Sequence, residues 1–86
     1  MAQPGKVSIV KGGRQKLYKA SPKTGARLYR ITNTGTGILG VTYTNDAGET
    51  SQSAQVAPGT SMDFLASDLE ARDDSNQGAS GIYEMA

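Results

Sequence analysis

The chain has 86 residues, 9 Lys and Arg against 8 Asp and Glu for a net charge of +1, and neither cysteine nor histidine. Without those two residue types disulfides are excluded, and zinc, haem and iron–sulfur centres lack their ligands. The 14 Val, Ile, Leu and Phe residues suffice for one lean core, and a domain this small with no disulfide or metal draws support from association.

The segment from Met1 to Lys6 has no apolar stretch of the kind a secretion signal needs, and no run approaches the ~18 apolar residues of a membrane span. Synthesis in the cytoplasm with no membrane attachment is therefore expected. Val7-Ser8-Ile9 alternates as a short strand before the Gly12-Gly13 break. Lys16-Leu17-Tyr18-Lys19-Ala20 is echoed by Arg27-Leu28-Tyr29-Arg30-Ile31, which suggests a hairpin with the two copies face to face. From Leu28 to Asn33, Tyr29 and Ile31 share one face, and Leu28, Arg30 and Thr32 the other. Leu39, Val41 and Tyr43 then keep a period of two, the pattern of a half-buried strand.

Asn45-Asp46-Ala47-Gly48 reads as a turn, followed by a polar partner strand from Glu49 to Val56. Pro58-Gly59 marks a second turn, of type II with glycine third. Between Met62 and Arg72 strands are expected, although Met62, Leu65 and Leu69 also fit the spacing of a short helix capped by Thr60 or Ser61. The chain closes with the loop Asp73–Gly78 and an alternating segment through Met85. Turns recurring this often predict an all-β fold, a small antiparallel sandwich or barrel. Residues 1–27 form its basic N-terminal arm or hairpin, and 28–86 its core.

Charge is distributed unevenly along the chain. Eight cations fall within the first thirty residues and all eight anions later, so the two parts carry +8 and −7. Such polarity has three readings. Opposite charges can meet across the strands of one sheet, each pair contributing only a few tenths of a kcal/mol. The basic segment can dock on an acidic protein surface or on the acidic half of another copy. It can also contact phosphates, with Tyr18 and Tyr29 offering rings for bases, although the nearby negative charge opposes that. Docking is the reading adopted, with Lys11, Arg14, Lys16, Tyr18, Lys19, Lys23, Arg27, Tyr29 and Arg30 as the partner-binding residues.

No catalytic, metal or cofactor-binding residues are assigned. A Ser–Lys dyad is conceivable, but the serines stand in turns and polar strands that need no catalytic explanation. Asp73-Asp74-Ser75-Asn76-Gln77-Gly78 has the oxygen-rich look of a calcium loop without the twelve-residue pattern and terminal Glu of an EF-hand, so a β-turn is expected there. Lys11-Gly12-Gly13-Arg14 and Gly35-Thr36-Gly37 lack phosphate-loop spacing.

The strand–turn succession Leu28–Thr44, the segment Pro58-Gly59-Thr60-Ser61-Met62-Asp63-Phe64 and the closing Gly78-Ala79-Ser80-Gly81-Ile82-Tyr83 resemble the small all-β structural proteins of tailed-bacteriophage virions, of the capsid decoration or cement type. The resemblance implies a non-catalytic virion protein, made in the host cytoplasm, that bridges subunits of the shell and assembles with copies of itself, often as trimers. Its expected partners are the major capsid protein or other virion subunits. A nucleic-acid-binding β-barrel using the basic segment on phosphates is the alternative, and a small bacterial adaptor domain a third.

Overall fold

The computed structural model describes residues 5–19, 25–44 and 52–85. They form eight strands: β1 (Gly5–Ile9), β2 (Arg14–Lys19), β3 (Arg27–Asn33), β4 (Leu39–Thr44), β5 (Gln52–Val56), β6 (Ser61–Ala66), β7 (Asp68–Asp73) and β8 (Ala79–Met85). Alternation explains most of them. In β4, Leu39 and Val41 are fully buried, and Tyr43 packs on the same side against the Phe64 ring, with centroids 5.0 Å apart. The turn Asn45–Gly48 and residues 49–51 lie outside the described residues.

Two four-stranded antiparallel sheets result, ordered β1-β8-β3-β6 (sheet A) and β2-β7-β4-β5 (sheet B). Every connection crosses from one sheet to the other except β4 to β5, which pair directly. This eight-strand arrangement is the jelly roll, a sandwich built from Greek keys. The core lies between the sheets and includes Val7, Ile9, Ile31, Phe64 and Ala79 from sheet A, and Leu17, Leu39, Val41, Val56 and Leu69 from sheet B.

The 62–72 segment settles as two strands with Ser67 at the corner between the sheets. A helix there would have left Phe64 and Ala66 without the β3 neighbours Tyr29 and Arg27 that they face in register. Within 1–27, the segment expected as an arm or hairpin, β1 joins sheet A and β2 joins sheet B. Val7, Ile9 and Leu17 are buried there, because a core this lean uses them.

The two Leu–Tyr copies are not paired as a hairpin. β2 lies against β7, and β3 between β8 and β6. The copies meet instead across the gap between sheets, where the Tyr18 and Tyr29 rings sit 5.1 Å apart. The register of β2 against β7 slips between Lys16 and Tyr18. This bulge makes Leu17 an extra residue and turns both Leu17 and Tyr18 inward, while Lys16 and Lys19 face out.

The crossings at one end are stitched by polar groups. Asn33, 1% exposed, ends β3. Its Nδ2 donates to the carbonyls of Gly37 and Val56, both at 2.8 Å, and its Oδ1 accepts from Gly35 N at 2.9 Å. The Asn33 backbone also exchanges bonds with the Pro58-Gly59 turn, through Thr60 O at 3.0 Å and Gly59 N at 2.9 Å. Gly59 takes φ +77°, and Thr60 N donates to Ala57 O at 3.1 Å, as a type II turn requires. One buried side chain thus ties the β3–β4 loop to the end of β5.

Replacing Asn33 with Ala strands Gly37 O, Val56 O and Gly35 N in or near the core. A destabilisation of about 3 kcal/mol is expected, measured by urea unfolding followed by circular dichroism.

Candidate interaction surface

The basic and tyrosine residues singled out from the sequence do not converge on one patch. Arg14, Lys16 and Lys19 project from the outer face of sheet B, and Arg30 from the outer face of sheet A, on the opposite side of the sandwich. Tyr18 and Tyr29 point between the sheets, where Tyr29 also packs against Tyr83 at 6.1 Å. Lys11 is exposed in the β1–β2 loop, Arg27 is exposed at the start of β3, and Lys23 lies outside the described residues.

Three of these cations already have partners within the chain. Lys16 Nζ sits on Asp68 Oδ1, Arg14 reaches Glu70 at 3.7 Å, and Arg30 Nε donates to Asp63 Oδ1 at 2.9 Å. Arg30 also stands opposite Glu84 on its other side. The Asp63 bond holds the Arg30 guanidinium above its ordinary pKa, and the Arg30 bond holds the Asp63 carboxyl below its own. Lys11, Lys19 and Arg27 form no ion pair among the described residues.

The tyrosines act as packing and anchoring groups. Tyr18 Oη donates to Gly25 O at 2.8 Å, fixing the return of the chain into β3. Burial first, then the neighbouring Tyr18 and Tyr83, pushes the Tyr29 hydroxyl above its usual pKa.

The acidic loop after β7 is an anchor for the strand connections. Asp73 Oδ2 accepts from the backbone N–H groups of Gly12 and Gly78, both at 3.0 Å, and Oδ1 accepts from Ser75 N and Oγ at 3.1 and 3.0 Å. Asp74 takes Arg72 Nε at 2.9 Å and Gln55 Nε2 at 3.1 Å, while the Arg72 guanidinium also bonds Thr42 Oγ1. Gly40 makes room for this, since a Cβ there would fall 2.3 Å from Asp74 Oδ2. Both carboxylates are committed to protein donors. Among the described residues no group of acidic side chains is arranged to hold a metal ion, and no helix is long and apolar enough to cross a membrane.

The two outer faces of the sandwich differ. On sheet B, the outward residues Arg14, Lys16, Lys19, Asp68, Glu70, Arg72, Thr42, Ser53 and Gln55 are all polar. On sheet A, Leu28 and Leu65 stand directly opposite one another across β3 and β6, 42% and 55% exposed, next to the Glu84–Arg30–Asp63 row and one row further from Ile82. This apolar pair was visible in the sequence only as alternation in β3. Its exposure depends on β6, whose partner strand no local pattern announces.

No family model matches this chain, and no curated protein matches it. Among solved structures, a chain in the crystal structure of Drosophila melanogaster CENP-C bound to CAL1 superposes with a TM-score of 0.73 at 7% identity, covering 96% of this chain. The present chain spans 63% of that chain's length. At this identity the likeness is one of fold.

The Gly12, Gly78 and Ser75 donors hold the Asp73 carboxyl well below the usual carboxylate range. A depressed folded pKa contributes stability that is fully present above the unfolded value of ~3.9 and is lost as pH falls through the folded one. Asp73→Asn is therefore expected to lower Tm at neutral pH, with the gap from wild type closing as pH falls below ~4. Thermal melts across that range check it, and a gap that stays constant into strong acid counts against an ionised anchor.

Proposed function

We propose that this chain is a non-catalytic structural subunit of a virion, a decoration-type protein that docks on the major capsid protein through the outer face of sheet A. The observation that carries the reading is the contrast between the two outer faces. One is wholly polar with several of its charges mutually paired, and the other presents the Leu28–Leu65 pair beside charges of both signs. Apolar side chains ringed by paired charges suit a protein partner, since aliphatic contact supplies affinity and the charges select register.

The same pairing weakens the nucleic-acid reading. Arg14, Lys16 and Arg30 each face a carboxylate, which lowers the positive potential that these three can offer a phosphate backbone. The docking surface moves accordingly, from the basic segment as a whole to the leucine face, with Arg30 in the row next to the leucines. The virion assignment draws on the resemblance of the three segments described above, and on an architecture also used by viral capsid domains, which is a fold-level analogy. The CENP-C structure, by its title a protein–protein complex, fits a protein partner.

Co-sedimentation with assembled shells of the virion that carries the gene tests the reading. Wild type is expected to pellet with shells at moderate and high salt, and Leu28→Glu, folded by circular dichroism, to lose most of that binding. Full binding by Leu28→Glu overturns the leucine face. Affinity for DNA or RNA that falls log-linearly with salt supports the alternative instead.

A further inference from the structure

With neither cysteine nor tryptophan in the chain, its four tyrosines are the side chains that lose a single electron most readily. Three of the four stand together between the sheets. The Tyr29 ring of β3 lies 5.1 Å from that of Tyr18 on β2 and 6.1 Å from that of Tyr83 on β8. Tyr43 packs instead on Phe64, at 5.0 Å, a ring with no hydroxyl.

Tyr18 and Tyr83 approach Tyr29 differently. Tyr83 belongs to the same sheet. Met85 is the register partner of Tyr29, and Tyr83 its diagonal neighbour two residues back, so these two rings rise side by side from one face. Tyr18 comes from the opposite sheet. Rings that meet across sheets ~10 Å apart overlap at their far ends, where the hydroxyl and the two carbons beside it lie. Both rings of this inter-sheet pair are held. The bulge in β2 turns Tyr18 inward, and its hydroxyl donates to Gly25 O at 2.8 Å. β3 is laddered to β8 and β6, and Tyr83 packs on Tyr29 in space that a Cβ on Gly5 would invade. Burial, then the Tyr18 and Tyr83 hydroxyls, keep Tyr29 a neutral phenol at physiological pH.

We propose that Tyr18 and Tyr29 are an oxidative cross-linking site, joined as dityrosine by a one-electron oxidant such as a peroxidase with hydrogen peroxide. Each phenol gives up one proton and one electron and becomes a phenoxyl radical. The two radicals pair their electrons in a new carbon–carbon bond between the ring carbons beside the hydroxyls. The two hydrogens on those carbons then move to the oxygens and restore both phenols. The chain has lost two hydrogen atoms, which reduce one hydrogen peroxide to two waters. Because the rings already lie side by side, coupling within the chain outruns encounter with a second chain. The product is a covalent staple between β2 of sheet B and β3 of sheet A, in a protein whose lean core has no disulfide.

Trypsin separates the four tyrosines, since cleavage after Lys and Arg leaves Tyr18 in peptide 17–19, Tyr29 in 28–30, Tyr43 in 31–72 and Tyr83 in 73–86. The full chain, dilute and treated with a peroxidase and hydrogen peroxide, is expected to remain a monomer on a denaturing gel. Its intact mass falls by two hydrogens, dityrosine fluorescence appears, and peptide 17–19 is found joined to 28–30. The stapled chain is expected to melt roughly 10 °C higher, as closing so short a loop implies. Tyr43→Phe keeps the product, whereas Tyr18→Phe and Tyr29→Phe, each folded by circular dichroism, abolish it. A link that runs to 31–72 or 73–86 instead overturns the pair. Coupling only between chains overturns it too, as does an untouched chain under conditions that couple free N-acetyltyrosine. A joined 17–19 and 28–30 with no rise in Tm overturns the staple.

Discussion

Each crossing between the two sheets leaves backbone groups with no ladder partner, and a core of so few large side chains has little surplus to bury them unpaired. Two side chains meet that demand at one end of the sandwich. Asn33 joins the β3–β4 loop to the end of β5, and the Asp73 carboxylate joins the β1–β2 loop to the β7–β8 loop. Together they hold the β1–β2, β3–β4 and β7–β8 loops at this end. Backbone bonds from Asp73 N to Gly13 O and from Asp74 N to Ile38 O complete the set.

The same topology turns a linear charge polarity into local neutrality. The basic strand β2 and the acidic strand β7 are far apart in sequence and adjacent in sheet B, and Arg30 of β3 lies between Asp63 of β6 and Glu84 of β8. Surface pairs of this kind contribute little individually to stability. Their larger effect is on strand choice, since Lys16 and Lys19 of β2 stand opposite Glu70 and Asp68 of β7, where a cationic strand would place like charges. On the function proposed above, the surface left for a partner is the leucine face, where the exposed Leu28 and Leu65 side chains take no part in such pairing.

What could be read directly was local. The alternation of β4, the Pro58-Gly59 turn and the all-β character of a glycine-rich chain rest on short-range chemistry, and the structure carries them. The face assignment of Leu28, Arg30 and Thr32 against Tyr29 and Ile31 also holds. Pairings between distant strands were not legible. The likeness of the two Leu–Tyr segments suggested a hairpin, whereas the bulge at Leu17 and the acids of β7 place β2 elsewhere. The Asp73 loop looked like a ligand cradle or a plain turn, and its role as an anchor appears only with Gly12, which lies 61 positions away. The leucine pair escaped notice because one partner lies on β3 and the other on β6.

The position of β8 has a consequence for how the chain is made. It is the last strand in sequence, yet it lies between β1 and β3 and bonds to both. During synthesis, β1 therefore has no strand beside it in sheet A until Ala79–Met85 have emerged from the ribosome. Val7, Ile9 and Ile31 stay without their final cover until then. The sandwich consequently closes after its last strand arrives, with a large loop-closure cost and the slow folding that non-local strand pairing brings.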